Sequence, residues 1–276
     1  MALEARAGGQ HVLLLDSGTN IGASQAAAGL IALRWYKQPT IRAKYPPGWG
    51  PNLAEEGIEW LQKYTEIKQT GEWFTNGMTG KQHFDSDFYV LPDPMSLLRQ
   101  GCPALVTVNR VVRQGATWQV ECDRATYTSR AIVITAGAAT NSLLGFSGLP
   151  TVPGLSGLWG EALIITSSLE TDVPKTYMPR PYSQFTLRSW GAGKVRLGDT
   201  TFKHQWGLYA KSLELLKCCK HFGLVPNVAA VQRGVRPVTP QFYLKRIAPR
   251  CIVATGGHRV GLALSGPVAK RALGLL

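Results

Sequence analysis

The stretch HVLLLDSGTNIGASQAAAGLI, residues 11–31, contains a short apolar run that ends on Asp16 and is followed by mostly small residues. A strand that ends on an acid suits hydrogen bonding to the ribose hydroxyls of an adenine dinucleotide. Because few bulky side chains follow Asp16, backbone N–H groups there can approach a bound phosphate or flavin closely. The alternative is that Asp16 caps a turn or a helix. Asp16 alone leaves both interpretations open.

Two further apolar runs have the same design: AIVITAG over residues 131–137 and CIVATGG over residues 251–257. Continuous runs of this length, rich in β-branched residues, are typical of strands covered on both faces in a parallel sheet. The small residues at their ends leave room for a ligand outside the carboxyl edge of that sheet. For one such run, a strand of a β-sandwich followed by a turn is the alternative. Three runs of one design favour a ligand-binding parallel sheet.

The segments between these runs predict helices and antiparallel strands. Two strand-like runs around the turn RQGAT indicate a hairpin, and alternating stretches with glycine turns fill residues 161–200. Apolar spacing and end signals predict helices over residues 52–64, 93–100, 208–223 and from near Pro267 to the C-terminus. This order predicts an α/β fold in which a cofactor domain is interrupted by an inserted antiparallel domain.

The composition limits the class of protein. The chain has 276 residues, no apolar stretch near the length that spans a bilayer, and no secretory signal pattern at its start. Its five cysteines are odd in number and lack a paired metal-site spacing, so we expect a reducing, cytoplasmic compartment. The net charge of +13 comes from dispersed Lys and Arg residues, which favours a solvated surface and leaves a nucleic-acid partner open.

Two arginines near the C-terminus are candidate substrate ligands. Arg236 precedes a proline in GVRPVTP, and Arg259 follows the small-residue end of the third apolar run. Two guanidinium groups that converge on one site suit bidentate recognition of a carboxylate. Alternatively, both arginines cap carbonyls or pair with surface acids. Because the chain contains no nucleophile elbow, HExxH motif, P-loop or paired CxxC, a cofactor is expected to supply the chemistry.

Taken together, these segments resemble the D-amino-acid-oxidase-like (DAO) family of FAD-dependent oxidoreductases, most closely its glycine oxidase subgroup. LLLDSGTNIGASQAAAGLI is similar to the family's second strand, ribose acid and flavin-approaching loop. AIVITAGAATNSLL is similar to the family pattern vVnAaGaws..l. GVRPVTP and IVATGGHRVGLALSGPVAK resemble the C-terminal block, in which G-L-R-P precedes aaGHfrnGi.laP. The three segments follow one another in family order.

The resemblance implies a Rossmann-like FAD-binding domain, incomplete at the N-terminus, with an inserted antiparallel-sheet α+β substrate domain. The FAD-binding domain would comprise residues 1–45, 95–150 and 232–276, and the substrate domain residues 46–94 and 151–231. The family's first strand and its G-x-G-x-x-G loop have no counterpart in residues 1–10, which resemble the tail of the first helix. We therefore hypothesise an N-terminally truncated member with weakened FAD affinity. We also expect unpaired ladder groups on the runs over residues 12–16 and 251–257.

The resemblance also assigns site residues. Arg236 and Arg259 would bind the substrate carboxylate, and Tyr177 in YMPR would match the substrate-facing tyrosine of the family pattern YivPr. No metal is implied. The residues that would bind FAD are Asp16, Ser17, Ser24, Ala27, Ala28, Gly29, Val108, Ala136, Gly137, Gly257, Val260, Gly261 and Leu262.

The implied activity is flavin-dependent oxidation of glycine or another small amino acid or amine. Hydride would pass from the α-carbon to FAD, the imine would hydrolyse, and O2 would reoxidise the flavin. One alternative is the related FAD-dependent tRNA wobble-uridine modification domain, which the charge of +13 favours. Another is a non-catalytic truncated remnant. The expected partners are a small carboxylate-bearing amine and O2, with no membrane span; tRNA and an oligomer stay open.

Overall fold

A computed structural model describes residues 1–19, 29–46, 48–50, 52–93, 95–101, 103–169, 173–180, 183–198, 208–257 and 261–276. The helices are α1 (Ala2–Ala7), α2 (Leu33–Tyr36), α3 (Pro39–Arg42), α4 (Leu53–Tyr64), α5 (Ser96–Gln100), α6 (Thr140–Phe146), α7 (Leu208–Cys219) and α8 (Gly261–Gly274), with 3₁₀ turns at Gly137–Ala139 and Lys220–Phe222. The strands are β1 (Leu15–Asp16), β2 (Leu30–Ala32), β3 (Lys68–Gln69), β4 (Glu72–Asn76), β5 (Gln82–Asp85), β6 (Phe88–Val90), β7 (Ala104–Leu105), β8 (Val108–Gln114), β9 (Thr117–Cys122), β10 (Thr126–Ser129), β11 (Ile132–Ile134), β12 (Ser156–Thr166), β13 (Lys175–Arg180), β14 (Ser183–Gly191), β15 (Lys194–Gly198), β16 (Val228–Ala248) and β17 (Cys251–Gly257).

The second and third apolar runs form neighbouring parallel strands, as predicted. β11 pairs with β17 in parallel, from Ile132 opposite Cys251 to Ile134 opposite Val253. β17 is buried along nearly its whole length, which explains why its sequence is continuously apolar. β16 pairs antiparallel with the other side of β17. The expectation of unpaired ladder groups on this run is therefore wrong for Cys251–Val253, which have a partner strand on each side. The remainder of β17 pairs with β16 alone among the described strands.

The first apolar run forms a shorter strand than expected. Only Leu15–Asp16 forms a strand, β1, and it pairs in parallel with β7. Leu15 packs against the buried cluster that contains Ile134 and Val253. Within the described residues, β1 and β7 form a sheet of two strands that is separate from the sheet containing β11 and β17.

A nine-stranded sheet runs through most of the chain, in the order β11-β17-β16-β12-β15-β14-β13-β4-β5. β12 and β16 form its longest antiparallel pair, and β15 and then β14 continue the sheet on the other side of β12. Helix α7 covers one face, where the packed cluster comprises Leu163, Ile165, Phe185, Leu187, Val195, Leu197, Leu215, Cys218 and Cys219. The sheet extends across both predicted domains, and the division into domains stays a prediction.

Helices α4 and α8 cross with their backbones in close contact. A Cβ added at Gly57 of α4 would lie 1.5 Å from the carbonyl oxygen of Ala263 in α8, and one at Gly266 would lie 2.3 Å from Trp60. α8 begins at Gly261, so the predicted start near Pro267 is wrong and Pro267 lies inside the helix. A proline there removes the N–H that would bond to the Ala263 carbonyl. The small residues before Pro267 are helical because they pack against α4.

Two further sequence predictions, the hairpin and the glycine that ends the α7 segment, are confirmed. The hairpin around RQGAT is β8 and β9, and Gly115 takes the positive φ of 59° that its turn requires. α7 is followed by a 3₁₀ turn that ends at Gly223 in the left-handed conformation. Within the described ranges, no helix combines the length and apolar character needed to cross a membrane.

The close contact between α4 and α8 predicts that adding one methyl group at Gly57 greatly destabilises the protein. Gly57→Ala should lower the free energy of unfolding by about 3 kcal/mol or more, because the added Cβ overlaps the Ala263 carbonyl. Gly145→Ala is the matched control, since Gly145 is helical and exposed and a Cβ there meets no described atom within 4 Å. The control should gain up to about 1 kcal/mol. Urea unfolding of both variants measures the difference, and equal stabilities would contradict this packing.

Candidate functional site

The carboxyl edge of β11 and β17 is built from small residues, with hydroxyl groups that hold its turn. The Gly137 carbonyl accepts hydrogen bonds from Thr140 Oγ1 at 2.8 Å and from Thr255 Oγ1 at 3.1 Å. Gly137 has a φ of 59°, which favours glycine at this position. The predicted residues Ala136 and Gly137 therefore lie at the end of a parallel strand, fixed to the neighbouring strand through Thr255.

The end of β17 leads into α8 through a second close approach. A Cβ at Gly257 would lie 2.8 Å from the Cα of Gly261, so only glycine fits there without displacement. A Cβ at Gly261 itself meets no described atom within 4 Å. Leu262 is partly buried and packs against the α4–α8 cluster. The predicted residues Gly257 and Gly261 are therefore adjacent in space, and Gly261 faces open volume among the described residues.

Arg236 lies beside this edge. It is half-buried on β16 opposite Leu158 of β12, and two residues further along β16 Val238 pairs with Gly257. The ring of Pro237, next in sequence, lies 4.0 Å from the position that a Cβ on Gly137 would occupy. The structure thus places Arg236 two residues from the β16 position that pairs with Gly257, although the two residues are distant in sequence. Gly137 is approached by Pro237, which lies on the face of β16 opposite to the Arg236 side chain.

The predicted ribose acid lies at the exposed end of β1. Asp16 Oδ1 accepts a hydrogen bond of 2.7 Å from the Gly18 N–H, and the Ser17 hydroxyl lies 3.1 Å from that of Thr19. The Asp16–Gly18 hydrogen bond caps a turn, which is the alternative to ribose binding that the sequence left open. It leaves the ribose role of Asp16 a prediction. Val108 follows β7 and packs against the cluster that includes Ile134, and its role toward adenine also stays a prediction.

Several predicted site residues lie outside the described residues: Ser24, Ala27, Ala28, Arg259 and Val260. Gly29, the last residue of the small-residue stretch, is described. Its carbonyl accepts a hydrogen bond of 2.8 Å from the Leu91 N–H, and the Leu91 carbonyl accepts one of 3.0 Å from Arg188 Nη1. A buried arginine of the large sheet is therefore connected to the end of that stretch.

Tyr177 lies on the face of the large sheet opposite to Arg236. Directly opposed residues of neighbouring strands share a face, and successive residues alternate between faces. Tyr177 stacks on His221 after α7, with ring centroids 4.0 Å apart, whereas Thr176 points to the Arg236 face. The register that carries this assignment is Arg236 opposite Leu158, Ile164 opposite Arg196, Arg196 opposite Arg188 and Thr186 opposite Thr176. The structure does not bring Tyr177 together with Arg236.

The spacing within YMPR explains this separation. The family pattern YivPr has two residues between its tyrosine and its proline, whereas only Met178 separates Tyr177 from Pro179. A strand alternates faces with every residue, so a difference of one residue reverses the face of the tyrosine. Thr176 is three residues before Pro179, which is the position of the tyrosine in the family pattern. Its side chain lies on the Arg236 face, where the pattern would place the tyrosine.

Sequence reasoning missed a row of buried polar side chains on the Arg236 face. Thr176 Oγ1 donates to Glu72 Oε1 and lies 2.7 Å from the hydroxyl of Thr186. Arg188 and Arg196, which are 3% and 1% exposed, lie over the ring of Trp190 at 4.6 and 5.9 Å from its centroid. The row comprises Glu72, Thr176, Thr186, Arg188 and Arg196, and it continues to the half-buried Gln232, which accepts a hydrogen bond from Arg196 Nε at 3.3 Å.

The alternation of polar and apolar residues along the strand is the sequence signal that could have identified this row. In QFTLRSW, Thr186 and Arg188 alternate with Phe185 and Leu187, which predicts a strand with one polar face. A polar face in a sequence is normally interpreted as solvent-exposed. Only the tertiary structure shows that this face is buried.

The cysteines offer no activated thiol among the described residues. Burial raises the pKa of Cys251 to about 12 and that of Cys218 to about 11, and it also raises the pKa of Cys219 and Cys122. These thiols stay protonated near neutral pH, and nucleophilic chemistry requires the thiolate. Within the described part of the chain, no cluster of His, Cys, Asp or Glu is arranged to hold a metal ion.

Solved structures of several oxidases share this fold. Glycine oxidase from Geobacillus kaustophilus is 14% identical, with a TM-score of 0.69 over 96% of this chain and 87% of its own. L-alpha-glycerophosphate oxidase from Mycoplasma pneumoniae, solved with FAD bound, is 15% identical, with a TM-score of 0.72 over 96% and 87%. Iminodiacetate oxidase from Chelativorans sp. BNC1 is 15% identical, with a TM-score of 0.71 over 99% and 91%. No significant match was found among curated protein sequences.

The family model described as "DAO: FAD dependent oxidoreductase" matches residues 98–273, which include β11, β16, β17 and Arg236. The match covers more than half of the chain. Together with the FAD-bound neighbour, it indicates that the cofactor is FAD. The chain belongs to the DAO family of FAD-dependent oxidoreductases.

Proposed function

We propose that this protein oxidises glycine or another small amine that carries a carboxylate. The observation that carries the proposal is the position of Arg236 on β16, two residues from Val238, which pairs with Gly257 at the end of β17. A guanidinium beside a glycine-rich strand edge can hold a substrate carboxylate next to a cofactor that approaches the backbone. The oxidases of glycine and of iminodiacetate among the structural neighbours support this substrate class.

The strand-to-helix edge suits the shape and charge of FAD. Gly137 and Gly261 leave volume that side chains would otherwise fill. The first turn of α8, a helix of 14 residues, has N–H groups without intrahelical partners, and such groups favour negatively charged ligand atoms. We assign FAD contacts to Asp16, Ser17, Ser24, Ala27, Ala28, Gly29, Val108, Ala136, Gly137, Gly257, Val260, Gly261 and Leu262.

When bound, FAD supplies the two-electron oxidation that amino-acid side chains lack. Arg236, with Arg259 as the proposed second ligand, holds the carboxylate through paired N–H donors and so fixes the α-carbon. The substrate loses a hydride from the α-carbon and a proton from its nitrogen, and water hydrolyses the resulting imine. O2 takes up the electrons as hydrogen peroxide. The protein orients the amine, and this scheme requires no dedicated side-chain base.

The net charge of +13 favours a second candidate function, oxidation of a glycine-like group attached to tRNA. Salt-dependent binding of tRNA separates the two candidates, since a free small amine requires no contact with nucleic acid. Binding of tRNA whose affinity falls steeply between low and physiological salt supports the second candidate. Peroxide formation from free glycine, without tRNA binding, supports the first.

Gly261→Leu tests the cofactor edge. The side chain enters volume that is open among the described residues, so folding should be unchanged while the affinity for FAD falls by about tenfold or more, as expected for a steric clash of 1–3 kcal/mol. Gly145→Leu, a similarly open helical glycine outside the edge, is the control. Flavin-fluorescence titration measures the affinity, and unchanged binding in Gly261→Leu would contradict the assignment.

Arg236→Lys tests the carboxylate site. Loss of the bidentate fork should raise KM for carboxylate-bearing amines about 10- to 100-fold, equivalent to a lost charge-assisted hydrogen bond of about 1.5–3 kcal/mol. Arg233→Lys is the matched control, because Arg233 lies on the opposite face of the same strand, 2.9 Å from Glu161. Steady-state kinetics should leave KM of the control unchanged. Equal KM values in both variants would exclude this role for Arg236.

Tyr177→Phe should leave KM unchanged. The phenylalanine keeps the ring that stacks on His221, and the strand register directs that ring away from the Arg236 face. Peroxide assays with a carboxylate-bearing amine check this directly. A rise in KM comparable to that of Arg236→Lys would show that the tyrosine hydroxyl reaches the substrate after all.

A further inference from the structure

The large sheet ends in an open strand at the edge opposite to β11. In the nine-stranded order β5 is the last strand, and within the described part of the chain it pairs only with β4. Side chains of Gln82, His83 and Phe84 are exposed. An exposed edge strand presents backbone groups that can pair with another strand.

Hydrogen bonds around the β4–β5 hairpin show which β5 groups point outward. The Asn76 N–H donates to the Lys81 carbonyl at 2.9 Å, whereas the Trp73 N–H donates away from β5, to the Pro174 carbonyl at 3.0 Å. Antiparallel pairs alternate between hydrogen-bonded and non-hydrogen-bonded positions. Asn76 is opposite Lys81 in this register, so Lys81, His83 and Asp85 direct their backbone groups toward β4. The N–H and C=O groups of Gln82 and Phe84 therefore point to the open edge.

An exposed aromatic pair lies on one face of this edge. Trp73 and Phe84 are opposite each other on β4 and β5, with ring centroids 5.2 Å apart, and are 46% and 48% exposed. A Cβ at Gly71 would lie 2.0 Å from the Phe84 ring, so the ring packs directly on the Gly71 backbone. Two large apolar side chains are thus held in place at an open strand edge, where burial would be favourable.

We propose that a second copy of this chain pairs antiparallel with β5, about a two-fold axis at His83. This register places Gln82 opposite Phe84 of the second copy, and Phe84 opposite its Gln82. Both residues have outward backbone groups, so each of the two pairs forms two N–H···O=C bonds and the register forms four. His83 faces its own equivalent at the axis, at a non-hydrogen-bonded position. No other register centred on β5 matches Gln82 with Phe84 on both strands.

The side chains of β5 complement each other in the same register. Lys81 is placed opposite Asp85 of the second copy, so two oppositely charged pairs flank the axis. On the other face, Phe84 is the diagonal neighbour of its equivalent, within reach of an aromatic ring. The Trp73–Phe84 pair thereby continues into the corresponding pair of the second copy. Charge complementarity and burial of the aromatic pairs both favour self-association over pairing with an unrelated strand.

Edge pairing is independent of the proposed reaction, because β5 and the β11–β17 edge terminate opposite sides of the sheet. In light scattering, the wild-type holoprotein should show twice the chain mass of 30.0 kDa and dissociate on dilution. Gln82→Pro removes an outward N–H without removing a bond to β4, so it should show the single-chain mass with unchanged peroxide formation. Gln82→Ala keeps the N–H and should behave as wild type. A single-chain mass for wild type, or a doubled mass for Gln82→Pro, overturns the proposal.

A charge exchange tests the register without altering the backbone. Lys81→Asp places acids on both sides of the axis and Asp85→Lys places two bases there, so each variant alone should dissociate more readily than wild type. An equimolar mixture restores both opposite-charge pairs, and it should recover the doubled mass as a heterodimer. Retention of full wild-type association by each single variant, or failure of the mixture to associate, contradicts this register.

Discussion

β17 lies between β11 and β16, and this arrangement positions Gly137, Gly257 and Arg236 of the proposed site. Its residues are buried because they are covered on both faces and paired with β16 on one side and, over Cys251–Val253, with β11 on the other. Parallel pairing with β11 brings the two small-residue strand ends together, with Gly137 bonded through Thr255. Antiparallel pairing with β16 brings Arg236 to the same edge.

The parts of the fold that follow from local chemistry were predictable. The spacing of apolar residues predicted the buried strands and α4. Turn residues predicted the RQGAT hairpin, and the runs of small residues predicted the ends of the parallel strands. The start of α8 did not, because Pro267 is a strong local signal that packing of the preceding residues against Gly57 overrides. The two partner strands of β17 also could not be predicted from the sequence, since the partners of a strand are set by the tertiary structure.

Site residues could be predicted where their role depends on residue type. They could not be predicted where the role depends on which face of the sheet the side chain lies on. Arg236 and Gly257 were identified from motifs, and the structure places Arg236 two residues from the partner of Gly257. Tyr177 was assigned from a motif that differs by one residue, which in a strand reverses the face. Arg188 and Arg196 were not predicted, because the polar pattern of a strand does not show whether its polar face is buried. Burial of charge is a property of the whole fold.

The central claim is that the edge formed by Gly137, Gly257 and Arg236 holds FAD beside a carboxylate-bearing amine. The direct measurement is the absorbance of the protein loaded with FAD, before and after glycine or another small carboxylate-bearing amine is added without O2. The account predicts that the oxidised flavin band disappears with the amine and returns, with hydrogen peroxide, when O2 is admitted. A bound flavin whose spectrum is unchanged by every such amine, or a protein that binds no FAD, would contradict it.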